Sequence, residues 1–120
     1  MKSIQGYIDG LKEKNRILTQ LVDEIAACAE DKANAEYSFE VAYARKIMEL
    51  RADGMPATIM SKVVSGDKLV ADLKLKAEIA KGIYEAKKAA IKATHVSIDT
   101  YRSLLSFEKE EFKRTFAGTD

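Results

Sequence analysis

The fold is decided by residues 70–112, which read VADLKLKAEIAKGIYEAKKAAIKATHVSIDTYRSLLSFEKEEF. An apolar side chain stands at every seventh position, and we call this set the seam stripe: Val70, Ala77, Tyr84, Ile91, Ile98, Leu105 and Phe112. The companion positions, three residues further on, hold Leu73, Ala80, Lys87, Thr94, Tyr101 and Glu108. This seven-residue repeat predicts a long helix that packs against another helix as a left-handed coiled coil.

The partner helix is predicted in the first part of the chain. The same three–four spacing is followed by Leu18, Leu21, Ile25, Cys28, Ala35, Phe39 and Ala42, with Lys32 as the exception. Gly54 and Pro56 should end that helix, because glycine is favoured just past a helix terminus and proline cannot continue a helix. A second break is predicted at residues 65–67, where Asp67 is suited to cap the next helix.

The predicted fold is therefore all-α, with a single domain over residues 1–120. It has a helix over about 9–51, a tip over 52–66 that contains a short helix over about 56–64, and a helix over about 67–115. With so short a tip, the two long helices should run antiparallel as a coiled-coil hairpin. A turn near residue 60 would place residues 23–40 level with roughly residues 80–97.

A second apolar line is predicted on the last helix, on the face opposite the seam stripe. We call it the outer stripe, and its members are Leu75, Ile79, Gly82, Ala86, Ala89, Ala93, Val96, Thr100, Ser103 and Phe107. The alternative is that alanine occupies exposed positions only because it is a good helix former. The bulky residues at both ends of the line favour packing, since a helix that is apolar on two faces usually lies between other helices. We predict self-association, most simply a dimer of hairpins that forms a multi-helix bundle.

Composition narrows the class of protein. Of 120 residues, 47% are hydrophobic and 32% are charged, which is typical of a folded chain outside the membrane. No apolar run approaches the ~20 residues needed to cross a bilayer, and the first residues lack the features of a signal peptide. Cys28 is the only cysteine, which fits a reducing compartment. We expect a cytoplasmic protein.

No set of residues in the sequence indicates catalysis. His95 is the only histidine, so that neither a two-histidine metal site nor a catalytic triad is evident. Cys28 lies within the apolar pattern of the first helix and is interpreted as a small buried side chain. We expect a protein that is not an enzyme and has no metal or cofactor.

A column of basic residues is the strongest pattern outside the predicted core. Its members recur every seven residues beside the seam stripe: Lys74, Lys81, Lys88, His95, Arg102 and Lys109. One interpretation is a contact line for a nucleic-acid backbone. The other is pairing with the acidic first helix, since residues 1–40 hold five basic and eight acidic side chains. The missing aromatic stacking residues favour the second interpretation.

The tip is the preferred candidate for binding a different protein. Its apolar residues are Met55, Pro56, Ile59, Met60 and Val63. These side chains could form an adaptable docking patch, because methionine is flexible and polarizable. The alternative is that the tip residues, with Val64, cover the open end of the hairpin.

Four stretches resemble small helical hairpin proteins encoded in phages and prophages of Gram-positive bacteria: YARKIMEL (43–50), GMPAT (54–58), GDK (66–68) and DLKL (72–75). The resemblance covers roughly residues 35–105. It implies an accessory factor of phage replication or recombination, or an inhibitor of host machinery, and it transfers no functional residue.

Three functions are compatible with these patterns. The first is an oligomeric, non-enzymatic interaction protein that binds another protein. The second is a nucleic-acid-binding accessory protein that uses the basic column, and the third is a structural spacer. Salt-dependent binding to DNA or RNA, lost on reversing Lys81 and Lys88 to glutamate, would distinguish the second from the first.

Overall fold

The computed structural model describes residues 4–117 and contains three helices. Helix α1 spans Ile4–Ala52, α2 spans Ala57–Gly66, and α3 spans Lys68–Ala117. The predicted all-α hairpin of two long helices with a short helix between them is confirmed.

Helix α1 starts at Ile4, earlier than the predicted residue 9, so that Gly6 as well as Gly10 lies inside it. Glycine within a helix costs about 1 kcal/mol relative to alanine. At Gly10 the missing side chain has a packing reason, since an added Cβ would lie 2.7 Å from ring atoms of Tyr101. The Tyr101 ring therefore packs against α1 at Gly10, where an added Cβ would require the ring to shift.

A glycine with positive φ ends α1. Gly54 adopts φ 81°, and its N–H donates to the carbonyl of Arg51 at 3.0 Å. The N–H of Met55 donates to the carbonyl of Leu50, also at 3.0 Å. This pair of bonds is a Schellman motif, which satisfies carbonyls that the helix end would leave unpaired.

Asp67 separates α2 from α3 and caps α3, as predicted. Its carboxylate accepts a hydrogen bond from the N–H of Val70 at 3.2 Å, the usual contact of an N-cap residue. The same carboxylate lies 3.6 Å from the Nζ of Lys46 on α1.

The chain divides into two compact units, each containing antiparallel parts of α1 and α3. The tip unit is Ile25–Ala86. Its core consists of Leu50, Met60, Val64 and Val70, with side chains of α1 packed against it. Helix α2 therefore covers the end of the seam with Met60 and Val64.

The second unit, which we call the termini unit, pairs α1 up to Glu24 with α3 from Lys87 onward. Tyr7 and Tyr101 pack with ring centroids 6.3 Å apart, and Ile98 is buried. Thr94 is buried too, and its hydroxyl donates to the carbonyl of Ala90 at 2.7 Å.

The register of the hairpin differs from the predicted one. In the termini unit Glu24 pairs with Lys87, whereas a turn at residue 60 would place residue 24 near residue 96. Helix α1 extends to Ala52 although Lys46 already reaches Asp67, the residue before α3. Helix α1 thus overruns the start of α3, and the pairing shifts toward lower numbers on α3.

Phe112 is an exception to the seam prediction, since its side chain is exposed. Tyr7 lies opposite Tyr101, so Phe112 stands beyond the first described residues of α1. It packs instead against Phe116 on its own helix, with ring centroids 4.6 Å apart.

Candidate interaction surfaces

The outer stripe is exposed at every position on α3. In the tip unit Leu75 is 61% and Ile79 is 54% exposed, and in the termini unit Val96 is 59% and Phe107 is 61% exposed. Residues of the seam stripe on the same helix, such as Val70 and Ile98, are only 2% and 3% exposed. The heptad positions therefore place one apolar line in the hairpin seam and leave the other in contact with solvent.

The middle of the outer stripe consists of small residues, which would let another helix approach the backbone of α3 closely. Gly82, Ala86, Ala89 and Ala93 are all exposed. A Cβ built on Gly82 would meet no atom within 4 Å, so nothing in the chain itself requires glycine there.

Sequence reasoning missed a third apolar column, beside the outer stripe. Leu69, Ile83 and Leu104 are large, exposed hydrophobic residues on α3. They are separated by multiples of seven residues, and this spacing was the signal that could have revealed them. The apolar surface of α3 is consequently wider on this side than one stripe.

Only some residues of the predicted docking tip are exposed in the structure. Met60 is buried and belongs to the core, so its assignment to a docking patch was wrong. Met55 is half-buried and packs against the same core. Pro56, Ile59 and Val63 are exposed. Met60 and Val64 are four residues apart and therefore lie on the same, inner side of α2, whereas Ile59 and Val63 lie on its outer side.

All six members of the basic column are exposed on α3. Lys74 and Lys81 line a groove of the tip unit together with carboxylates of both long helices: Glu36, Glu40, Glu78 and Glu85. These side chains mix both signs of charge, so the positive potential of the column is reduced at this end.

Two basic residues in the hairpin seam have specific partners. Lys32 pairs with Glu36 at 3.0 Å, and its Nζ lies 5.8 Å from the ring centroid of Tyr84. Lys87 donates a hydrogen bond to Glu24. Each lysine that interrupts the apolar pattern of the seam, at residues 32 and 87, therefore has a carboxylate partner.

Acid should weaken the Glu24–Lys87 pair. The hydrogen bond from Lys87, followed by one from Gln20, lowers the pKa of Glu24 below its ordinary value of 4.5. Because the pKa is lower in the folded state, the pair stabilises the fold above about pH 4.5, and this contribution is lost as the pH falls through the folded pKa.

We expect the thermal midpoint of the wild type to fall more between about pH 6 and pH 3 than that of Glu24→Gln. Lys87→Gln, which removes the partner, should reduce the pH dependence in the same way. Identical pH profiles for the three proteins, followed by circular dichroism, would contradict this assignment.

The two residues considered for catalysis, Cys28 and His95, lie on different helices and differ in burial. Cys28 is a half-buried free thiol on α1, and His95 is exposed on α3. Within residues 4–117, no three side chains of His, Cys, Asp or Glu are grouped so that they could hold a metal ion. The expectation that the protein is not an enzyme stays a prediction.

Comparisons with protein-family models, with curated proteins and with solved structures find no match to this chain. The resemblance to small helical phage proteins therefore stays a prediction. None of the described helices combines the length and the apolar character needed to span a membrane.

Proposed function

We propose that this protein acts by association: copies of the chain pack through the outer stripe, and the assembly binds a different protein with the exposed side of α2. In this proposal the chain performs no catalysis and acts in the cytoplasm, where its lone cysteine would stay reduced.

The observation that carries the proposal is the exposure of the outer stripe along α3. Single exposed apolar residues are ordinary on protein surfaces. A continuous line from Leu75 to Phe107 is different, because large contiguous apolar patches mark interaction sites. Ile83 and Leu104 widen this patch.

The exposed apolar residues of the outer stripe call for a partner that is itself apolar on one face. A second copy of the chain is the simplest partner with a complementary apolar face.

Helix α2 is the proposed contact for a different protein. Ile59 and Val63 are exposed on one side of it, while Met60 and Val64 anchor the other side in the core. The exposed pair with Pro56 forms a small apolar patch, which fits an apolar segment of a partner protein. Such a contact would be smaller than the one through the outer stripe and suits a reversible interaction.

Nucleic-acid binding is the second candidate, and the exposure of the whole basic column is the observation that favours it. Carboxylates beside Lys74 and Lys81 count against it, because they would face the phosphates as well. We therefore rank it below protein association.

The mass of the purified protein in solution, determined by light scattering over a dilution series, tests the proposal. We expect a dimer or larger assembly that is indifferent to added single- and double-stranded DNA. A monomer at every concentration would contradict self-association. A salt-dependent complex with DNA that Lys81→Glu with Lys88→Glu abolishes would establish the second candidate instead.

A further inference from the structure

We infer that two copies of α3 pair antiparallel about a two-fold axis beside residues 87 and 88. This inference rests on the proposed association through the outer stripe and specifies its geometry. The outer stripe of one copy then packs against the outer stripe of a second copy, and the assembly is a four-helix bundle of two hairpins.

From Ile79 to Val96 the sizes of the side chains on the outer stripe are symmetric about this axis. Antiparallel pairing places Ala86 against the partner's Ala89, Gly82 against the partner's Ala93, Ile79 against the partner's Val96, and Leu75 against the partner's Thr100. In each copy the four small residues lie at the centre of the interface. On each side of this centre lies a pair of β-branched residues, Ile79 of one copy and Val96 of the other. Small residues at the centre let the two backbones approach closely, while the bulky layers fill the wider space beyond.

The flanks of the stripe distinguish antiparallel from parallel pairing. One flank carries the exposed apolar residues Leu69, Ile83 and Leu104, and the other flank is charged: Glu78, Glu85, Lys92 and Asp99. In an antiparallel pair each flank faces its own copy, so that Leu69 meets the partner's Leu104. A parallel pair would place the apolar flank against the charged one and remove charged groups from water without partners.

Charge also disfavours one of the two neighbouring registers. With the axis beside residues 87 and 88, Glu85 faces the partner's Lys92 on both sides of the axis, and these contacts are attractive. Glu78 then faces the partner's Asp99 near the ends, where water and salt screen the repulsion. A shift of the axis by half a heptad toward residue 91 would place Lys92 against the partner's Lys92 and Glu85 against the partner's Asp99, so that all of these contacts would repel.

Disulfide trapping tests the pairing. In a Cys28→Ser background, Ile79→Cys is prepared with a tag and Val96→Cys without one. Their α-carbons should approach within the ~7 Å that a disulfide tolerates. Two copies of residue 79 would lie ~25 Å apart at 1.5 Å per residue, as would two copies of residue 96.

We expect a cross-linked dimer after mild oxidation of the mixture and none for either variant alone. The control is a mixture of Lys74→Cys and Arg102→Cys, which lie at matching levels of α3 on the basic column; it should stay uncross-linked. Cross-linking of each variant alone would overturn the inference in favour of parallel pairing. A dimeric mass without a mixed cross-link would overturn it while leaving the proposed association intact, and a monomeric mass of the reduced proteins would overturn the association itself.

Discussion

Replacing Ala89 by lysine should leave the protein monomeric at concentrations where the unmodified chain associates. Ala89 stands in the small central part of the outer stripe and is exposed in the single chain. In an assembly the lysine would lose its water without gaining a partner, which costs several kcal/mol. We expect association to weaken by at least about 100-fold, which corresponds to about 2.8 kcal/mol.

The fold of the variant should survive, since lysine is a good helix former and the position is solvent-exposed in the chain. Ala33→Lys is the matched control, because Ala33 is an exposed alanine in the interior of α1. Sedimentation equilibrium should give a monomer for Ala89→Lys and the wild-type mass for Ala33→Lys. An unchanged mass for Ala89→Lys, with wild-type circular dichroism, would remove the outer stripe from the interface.

Leu50→Ala should cause the largest loss of folding stability. Leu50 is buried where α1, α2 and the start of α3 meet, in the cluster with Met60, Val64 and Val70. Truncation of a buried leucine removes apolar contacts and leaves a cavity, which costs about 2–5 kcal/mol. The free energy of unfolding, measured by urea titration at a fixed protein concentration, should decrease by this amount.

Met48→Ala provides the comparison two residues away. Met48 is 68% exposed on the same helix, so its truncation should change the free energy of unfolding by no more than about 0.5 kcal/mol. Equal losses for the two variants would show that the cluster around Leu50 is not the core of the tip unit.

The periodicity of the sequence was sufficient to predict the two long helices and their common seam. Val70, Ala77 and Ile98 are separated by multiples of seven residues and are buried as that spacing requires. Asp67 was also predictable as a cap, because its side chain and its position after a glycine are typical of one. Local chemistry decides these features, and local chemistry is visible in the sequence.

The features that escaped prediction depend on contacts between distant residues. The reason for Gly10 inside α1 is the Tyr101 ring, which lies 91 positions away in the sequence. The division of the tip into buried Met60 and exposed Ile59 depends on which side of α2 meets Leu50. The register of the hairpin depends on how far α1 extends past the start of α3, and the amino-acid composition does not show that distance.

Among the candidate surfaces, the outer stripe was identified from its spacing and is exposed, while its role as an interface stays a prediction; the column of Leu69, Ile83 and Leu104 was overlooked. Its members are diluted by Lys76, Ala90 and Ser97 at the same heptad position. Exposure in the folded chain, and not hydropathy alone, identifies it as part of the apolar surface.

Hydroxyl-radical footprinting of the unmodified protein shows which side chains are covered in solution, and so tests whether the outer stripe is an interface. In the single chain Leu75, Ile79 and Val96 are as accessible as Val22 on α1. We predict that the three α3 residues are protected at concentrations where the protein is assembled and become reactive on dilution, while Val22 and Tyr37 react equally under both conditions. Reactivity of the α3 residues that does not change between an assembled and a diluted sample would contradict the account.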